Sequence, residues 1–145
     1  MVTGRARLAA ADVGAWLFTC NPGEFRELRE GTVAVTGWCA HPSYRVGLVV
    51  PGQPAVLWVS GSSGSAVTPG IWMAGRTTGE VDRNRDRPRI GLAMTLLPEA
   101  LPREVLRADP RTARLEVLRA PQMSNPSVVS PGELAAIEEL LGGWP

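Results

Sequence analysis

Apolar and polar positions along the chain separate into short runs of strand length. Ala15-Trp-Leu-Phe-Thr-Cys20 is a continuous apolar run stopped by Asn21-Pro22-Gly23, which predicts a first, central strand. Thr32-Val-Ala-Val-Thr-Gly-Trp38 alternates and is β-branched, so it predicts a second strand. Ala55-Val-Leu-Trp-Val-Ser60 is the clearest strand of all, and Gly61-Ser-Ser-Gly-Ser65 reads as a flexible tip. Gly70 to Thr77 returns as its partner, where the interior Gly75 predicts a bulge or a close backbone approach. Ile90 to Leu97 reads as a further strand closed by Pro98, after a charged connection from Asp82 to Arg89. Helical spacing is confined to three places. Phe25 and Leu28 share a face over Glu24–Glu30, Pro102–Ala108 begins with proline in its first turn, and Ser130-Pro-Gly-Glu133 is a capping box ahead of Leu134, Ile137 and Leu141, with Gly142 and Gly143 as the stop. Periodicity leaves Arg114–Leu118 undetermined. The pattern predicts an α+β fold, a compact β-barrel of five to six short strands with flanking short helices. Residues 1–13 read as a flexible leader and 14–145 as a single domain.

Composition narrows the chemistry. With 145 residues, 44% apolar and 20% charged, the chain is long enough for a core without metals or disulfides. All fifteen Lys+Arg cations are arginine. A Walker P-loop and a Schiff-base enzyme both need a lysine and are excluded. The single His41 excludes multi-histidine metal sites, and Cys20 and Cys39 lack metal-site spacing, so no metal and no cofactor are expected. The richest apolar stretch, Val46–Val59, is broken by Pro51-Gly-Gln-Pro54, which predicts no membrane span. Asp12 interrupts the apolar run after Arg5 and Arg7, so that segment is not read as an export signal and the thiols are expected reduced in the cytoplasm. No G-x-S-x-G elbow occurs, since Gly61-Ser-Ser-Gly64 has the wrong spacing, and no carboxylate pair is spaced for acid–base work. No catalytic residue is assigned.

Three features remain as candidates. Trp16 and Trp72 read as core fillers, whereas Trp38 ends a strand beside a polar loop and Trp58 shares with Ser60 the face opposite Leu57 and Val59. Trp38 and Trp58 therefore read as stacking platforms. Arg83, Arg85, Arg87 and Arg89 alternate, and in an extended segment all four face one way, either as a solvated tip or as phosphate contacts. A formal net charge of +1 keeps any nucleic-acid contact local. Ser124-Asn125-Pro126 presents a carboxamide ahead of the last helix, either as an Asx-type turn or as a group able to donate and accept at a base edge.

Taken in order, Ala15-Trp-Leu-Phe with Asn21-Pro22, Trp38, Val56-Leu-Trp-Val-Ser-Gly61, Gly70-Ile-Trp-Met-Ala-Gly75, Leu115-Glu-Val-Leu-Arg119 and Ser124-Asn-Pro126 resemble the EVE domain of the PUA-like superfamily, related to YTH and ASCH domains. The resemblance spans about Ala15 to Leu141 and departs from the family pattern at Gly52-Gln-Pro54 and in the long Ser62–Thr68 connection. It implies a small twisted barrel that takes a modified nucleobase, cytosine or adenine, turned out of DNA or RNA, as a reader and not a catalyst. In that reading Asn21 and Pro22 form the pocket-side loop, Trp38 one wall, Trp58 and Ser60 the floor or opposite wall, and Ser124 and Asn125 close it. A freestanding, monomeric reader of this kind serves restriction or RNA modification through an effector nuclease encoded separately. Two alternatives stand beside it: an ASCH-like hydrolase or nuclease acting on RNA or nucleoside derivatives, and a protein-interaction subunit of a nuclease system.

Overall fold

The structure is a computed structural model that describes residues 7–31, 34–123 and 125–145. Six strands form one mixed sheet: β1 (Ala15–Cys20), β2 (Ala34–Cys39), β3 (Pro54–Val59), β4 (Gly70–Asp82), β5 (Arg89–Pro102) and β6 (Ser127–Val129), in the spatial order β2-β5-β4-β3-β1-β6. Four α-helices accompany it: α1 (Pro22–Gly31), α2 (Arg103–Ala108), α3 (Glu116–Arg119) and α4 (Pro131–Leu141). This is the expected α+β class, with one correction. Among the described residues no ladder joins β2 to β6, so hydrogen bonds do not close the sheet into a barrel. The sheet nevertheless curls until residues just beyond its two edges meet, and the His41 N–H donates to the Asn125 carbonyl at 2.9 Å.

The strand run at Ala15 and the one at Ala55 pair in parallel, Trp16 opposite Ala55 and Cys20 opposite Val59. Strands so placed are covered on both faces, which is why their sequences are apolar almost throughout. Trp16, Phe18, Leu57 and Val59 pack into one core, together with Phe25 of α1 and Val46 and Val49. Leu17, Val56 and Trp58 pack into a second core on the other face, under Leu106 of α2, Val117 of α3 and Ile137 of α4.

Two strands run well past their predicted ends. β5 continues through Pro98 because the register shifts there: Met73 faces Leu96 while Ile71 faces Leu101. The proline thus lies in a bulge, where no ladder N–H is required of it. Gly75 is the predicted close approach. A Cβ at that position would overlap the Ala93 carbonyl, and its own carbonyl accepts the Trp144 indole N–H at 2.8 Å. The segment read as a leader is tied down from residue 8: the Leu8 N–H donates to the Tyr44 hydroxyl at 2.8 Å, and the Gly14 N–H to the Val129 carbonyl at 2.7 Å. The capping box of α4 forms as expected, with Gly142 in the left-handed region at φ 77°.

Candidate functional site

β1 ends at the rim of the sheet beside the end of β2, and the connection between β4 and β5 overhangs both. These elements enclose an open cleft of about 400 Å³, lined by Thr19, Glu24, Gly37, Trp38, Cys39, Arg87, Arg89 and Asn125. Trp38 pairs across the ladder with Ile90, packs partly on the first core and leaves its ring half-buried at the cleft. Arg89 lies against the backbone of Gly37. A Cβ there would overlap its guanidinium, so the missing side chain at Gly37 makes room for the cation. Thr36 Oγ1 accepts a long hydrogen bond from Arg89 Nη2 at 3.4 Å.

Asn125 is held more firmly than its place in a loop suggests. Its Oδ1 accepts from Thr19 N–H at 2.7 Å and from Thr19 Oγ1 at 3.1 Å, and its Nδ2 donates to the Thr19 carbonyl at 3.2 Å. The acceptor capacity of the carboxamide is thereby filled, and one Nδ2–H remains for anything that enters the cleft. The expectation that Asn125 both donates and accepts at a base edge is corrected to donation alone. The segment is anchored from behind by Arg45, which donates to the Pro126 carbonyl at 3.2 Å and to both carboxylate oxygens of Glu116 at 2.7 and 2.9 Å. Burial opposes ionisation of Glu116. The hydrogen bonds from Arg45 and the Val128 N–H, with the positive charges of Arg45 and Arg119, outweigh it and hold the carboxyl below its ordinary range.

The other predicted site residues divide. Asn21 is the N-cap of α1: its Oδ1 accepts from Glu24 N–H at 2.8 Å, and its own N–H donates to Glu24 Oε1 at 3.1 Å. Asn21-Pro22-Gly23-Glu24 is therefore a capping box with proline at the first helical position, a signal visible in the sequence and there read only as a turn. The pair at Asn21 and Pro22 helps bring Glu24 to the cleft and does not itself line it. Trp58 is 3% exposed within the second core, on the opposite face of the sheet from Trp38. The two indoles do not converge on one slot, because burial on both faces of β3 turns the side opposite Leu57 into a second interior. Ser60 lies with Trp58, its Oγ donating to the Cys20 carbonyl at 3.1 Å. The arginine run is bent at residues 84–87 and not extended, so its side chains do not share one direction. Arg87 and Arg89 reach the cleft, Arg83 is exposed, and Arg85 pairs with Asp82 at 3.1 Å. Ser124 lies outside the described residues.

Sequence reasoning also passed over Thr19, Glu24 and Cys39 as cleft residues. Cys39 is exposed, whereas the Cys20 thiol is buried and pushed up to about 12 by that burial, with the nearby Glu24 charge adding to it. Among the described residues no group of three or more His, Cys, Asp or Glu is placed to hold a metal ion, and no helix is long and apolar enough to cross a membrane.

No protein-family model matches the chain, and no curated protein matches it. Solved structures do. A hypothetical protein from Leishmania major is similar at 14% identity, over 92% of this chain and 98% of its own, with a TM-score of 0.67. A protein from Pseudomonas putida is similar at 17% identity, over 88% and 99%, with a TM-score of 0.64. One from Rhodopseudomonas palustris is similar at 15% identity, over 90% and 94%, with a TM-score of 0.63. At these identities the likeness is one of fold, and it extends over 88% to 92% of this chain.

Proposed function

We propose that the cleft at Trp38 takes a modified nucleobase swung out of a DNA or RNA strand, and that the chain reads this base without transforming it. One observation carries the reading. A half-buried indole, two arginines and a pinned carboxamide with a free donor, drawn from distant parts of the sequence, meet in one open cleft of about 400 Å³. That volume lies within the ~300–1,000 Å³ of small-molecule sites. Extruding a base costs a few kcal/mol, and stacking on an aromatic ring returns about 1–3 kcal/mol. With Trp58 interred, the second face of the base is left to a guanidinium plane, for which Arg87 and Arg89 are at hand. Their charge also suits the flanking phosphates.

The curl that joins His41 to Asn125 supports a PUA-like arrangement of the EVE type, in which the cleft sits at the mouth of the sheet. In this reading the protein works as a cytoplasmic monomer and delivers its effect through a separately encoded effector nuclease.

The test is a titration of short oligonucleotides carrying plain or modified cytosine and adenine, followed by tryptophan fluorescence. Saturable binding that Trp38→Ala abolishes, with the fold retained, is the expected result. Gly37→Ala supplies a second handle, since its Cβ displaces the Arg89 guanidinium at little structural cost. It should weaken binding without unfolding the chain. No binding tighter than about 100 µM to any of the oligonucleotides, a weak limit even for non-specific contact, overturns the proposal. So does affinity unaltered by Trp38→Ala.

A further inference from the structure

Behind Thr19, on the opposite face of the sheet from Trp38, lies a second and smaller pocket. Its volume is about 130 Å³, and Thr19 lines both it and the cleft. Three of its polar side chains, Trp58, Arg103 and Arg107, are donors, and Thr19 and Ser60 add hydroxyls. Arg103 and Arg107 come from successive turns of α2, and Trp58 and Ser60 from the end of β3 and the residue after it. Arg103 is steadied by donating to the Gly61 carbonyl at 2.7 Å. Arg107 shares the exposed Glu104 carboxylate with it, at 3.2 and 3.3 Å, and its remaining N–H groups have no partner among the described residues. Two guanidiniums against one carboxylate leave a local positive charge.

The indole of Trp58 supplies the decisive observation. Among the other tryptophans Trp16 donates to Gln53, Trp72 to the Thr68 carbonyl and Trp144 to the Gly75 carbonyl, while the half-buried Trp38 opens on the cleft. Trp58 is 3% exposed, and its Nε1–H has no partner among the described residues. No fully buried side-chain nitrogen or oxygen among those residues is without a partner, so this N–H keeps some open surface, and Trp58 lines the pocket. A buried indole N–H normally finds an acceptor. Here the acceptor comes from outside the chain, as solvent or as a ligand in the pocket. Ser60 Oγ, on the same rim, donates to the Cys20 carbonyl at 3.1 Å, and no hydrogen bond joins it to the indole.

We infer that this pocket is an anion site that takes phosphate, held by Arg107, Arg103 and the Trp58 N–H. At about 130 Å³ the pocket has room for a tetrahedral oxyanion. Planar guanidinium forks match phosphate oxygens, and an indole N–H adds a neutral donor that lysine-free chemistry can still provide. The site itself stands on these donors alone. Its further assignment, to a phosphodiester of the strand whose base sits in the Trp38 cleft, rests on the proposed base reading, because Thr19 forms the ridge between the two.

The experiment has two arms, each on the full chain. In the first, inorganic phosphate is titrated at constant ionic strength and followed by Trp fluorescence and thermal shift, for the wild type, Arg107→Gln, Trp58→Phe and the control Arg83→Gln. The expected result is saturable stabilisation, weakened about tenfold by Arg107→Gln and not by Arg83→Gln. Trp58→Phe keeps a ring in the core and removes the donor, and a folded variant should also bind more weakly. No stabilisation beyond that of chloride, or stabilisation indifferent to Arg107→Gln, overturns the anion site. In the second arm the same variants meet a single-stranded oligonucleotide. If Arg107→Gln weakens binding uniformly across sequences and lowers the salt slope by about one phosphate contact, the strand supplies the anion. If phosphate binding falls while oligonucleotide affinity is unmoved, the polymer assignment is overturned and a free phosphate or phosphomonoester is the ligand. Loss of oligonucleotide binding in Trp38→Ala with phosphate binding intact separates failure of the cleft from failure of this site.

Discussion

Replacing Glu116 by glutamine tests the anchor that holds the cleft from behind. Glu116 takes three hydrogen bonds, two from the Arg45 guanidinium at 2.7 and 2.9 Å and one from the Val128 N–H at 2.9 Å. Both side chains of the pair are 12% exposed. Glutamine keeps the shape and one acceptor, but it sets an NH2 against the guanidinium and leaves Arg45 buried without a counter-charge. Removing one partner of a buried pair costs about 3–5 kcal/mol, and the residual exposure and retained acceptor reduce this, so Glu116→Gln should destabilise the fold by about 3 kcal/mol at neutral pH. The sign of the pH dependence follows from the depressed carboxyl. A group whose folded value lies below its unfolded value contributes stability that is present above the ordinary 4.5 and is lost as pH falls through the folded value. The wild type should therefore lose this increment below about pH 4.5, while the variant, with nothing to titrate there, should not. Urea denaturation of both proteins at pH 7, 5 and 3 measures it. The two should differ most at pH 7 and draw together as pH falls below 4.5. A difference under about 0.5 kcal/mol at pH 7, the range of ordinary surface changes, refutes the reasoning, as does a gap that does not narrow between pH 5 and pH 3.

Three further outcomes follow from the packing. Trp58→Ala should cost about 3–5 kcal/mol, as expected for emptying a core position, whereas Trp38→Ala should cost less because part of the ring is already solvated; equal melting temperatures would contradict the placement of Trp58. Gly75→Ala should destabilise severely or prevent folding, because the new Cβ meets backbone, the Ala93 carbonyl, which has no room to yield; a melt close to wild type would refute that contact. A thiol reagent at pH 8 should modify Cys39 alone in the folded protein and both cysteines in denaturant, Cys20 being shielded and its thiol pushed up to about 12; two fast-reacting thiols in the native state would contradict it.

Local patterning was enough to find β1, β3, α1 and α4. Their signals are contiguous: apolar runs of strand length, helical spacing, and a Ser130–Glu133 capping box whose two hydrogen bonds form within four residues. Gly75 was legible for the same reason, since a glycine inside a strand pattern marks a close approach whichever backbone makes it. The three-residue β6 is too short to carry a period, and β5 runs through Pro98 only because a bulge there removes the need for its N–H.

The site depended on contacts between segments far apart in the chain. A period of two places Leu57 and Trp58 on opposite faces, but it does not say whether the second face meets solvent or another layer. Helices α2, α3 and α4 decided that by covering it, and Trp58 became interior. The carboxamide of Asn125 is committed to Thr19 across 106 positions, and Arg87 and Arg89 reach the cleft because the turn between β4 and β5 bends where an alternating pattern implies extension. Hydrophobic periodicity records which side of an element avoids water. What lies across from that side, and which polar groups are left with a free donor there, is set by how the elements pack.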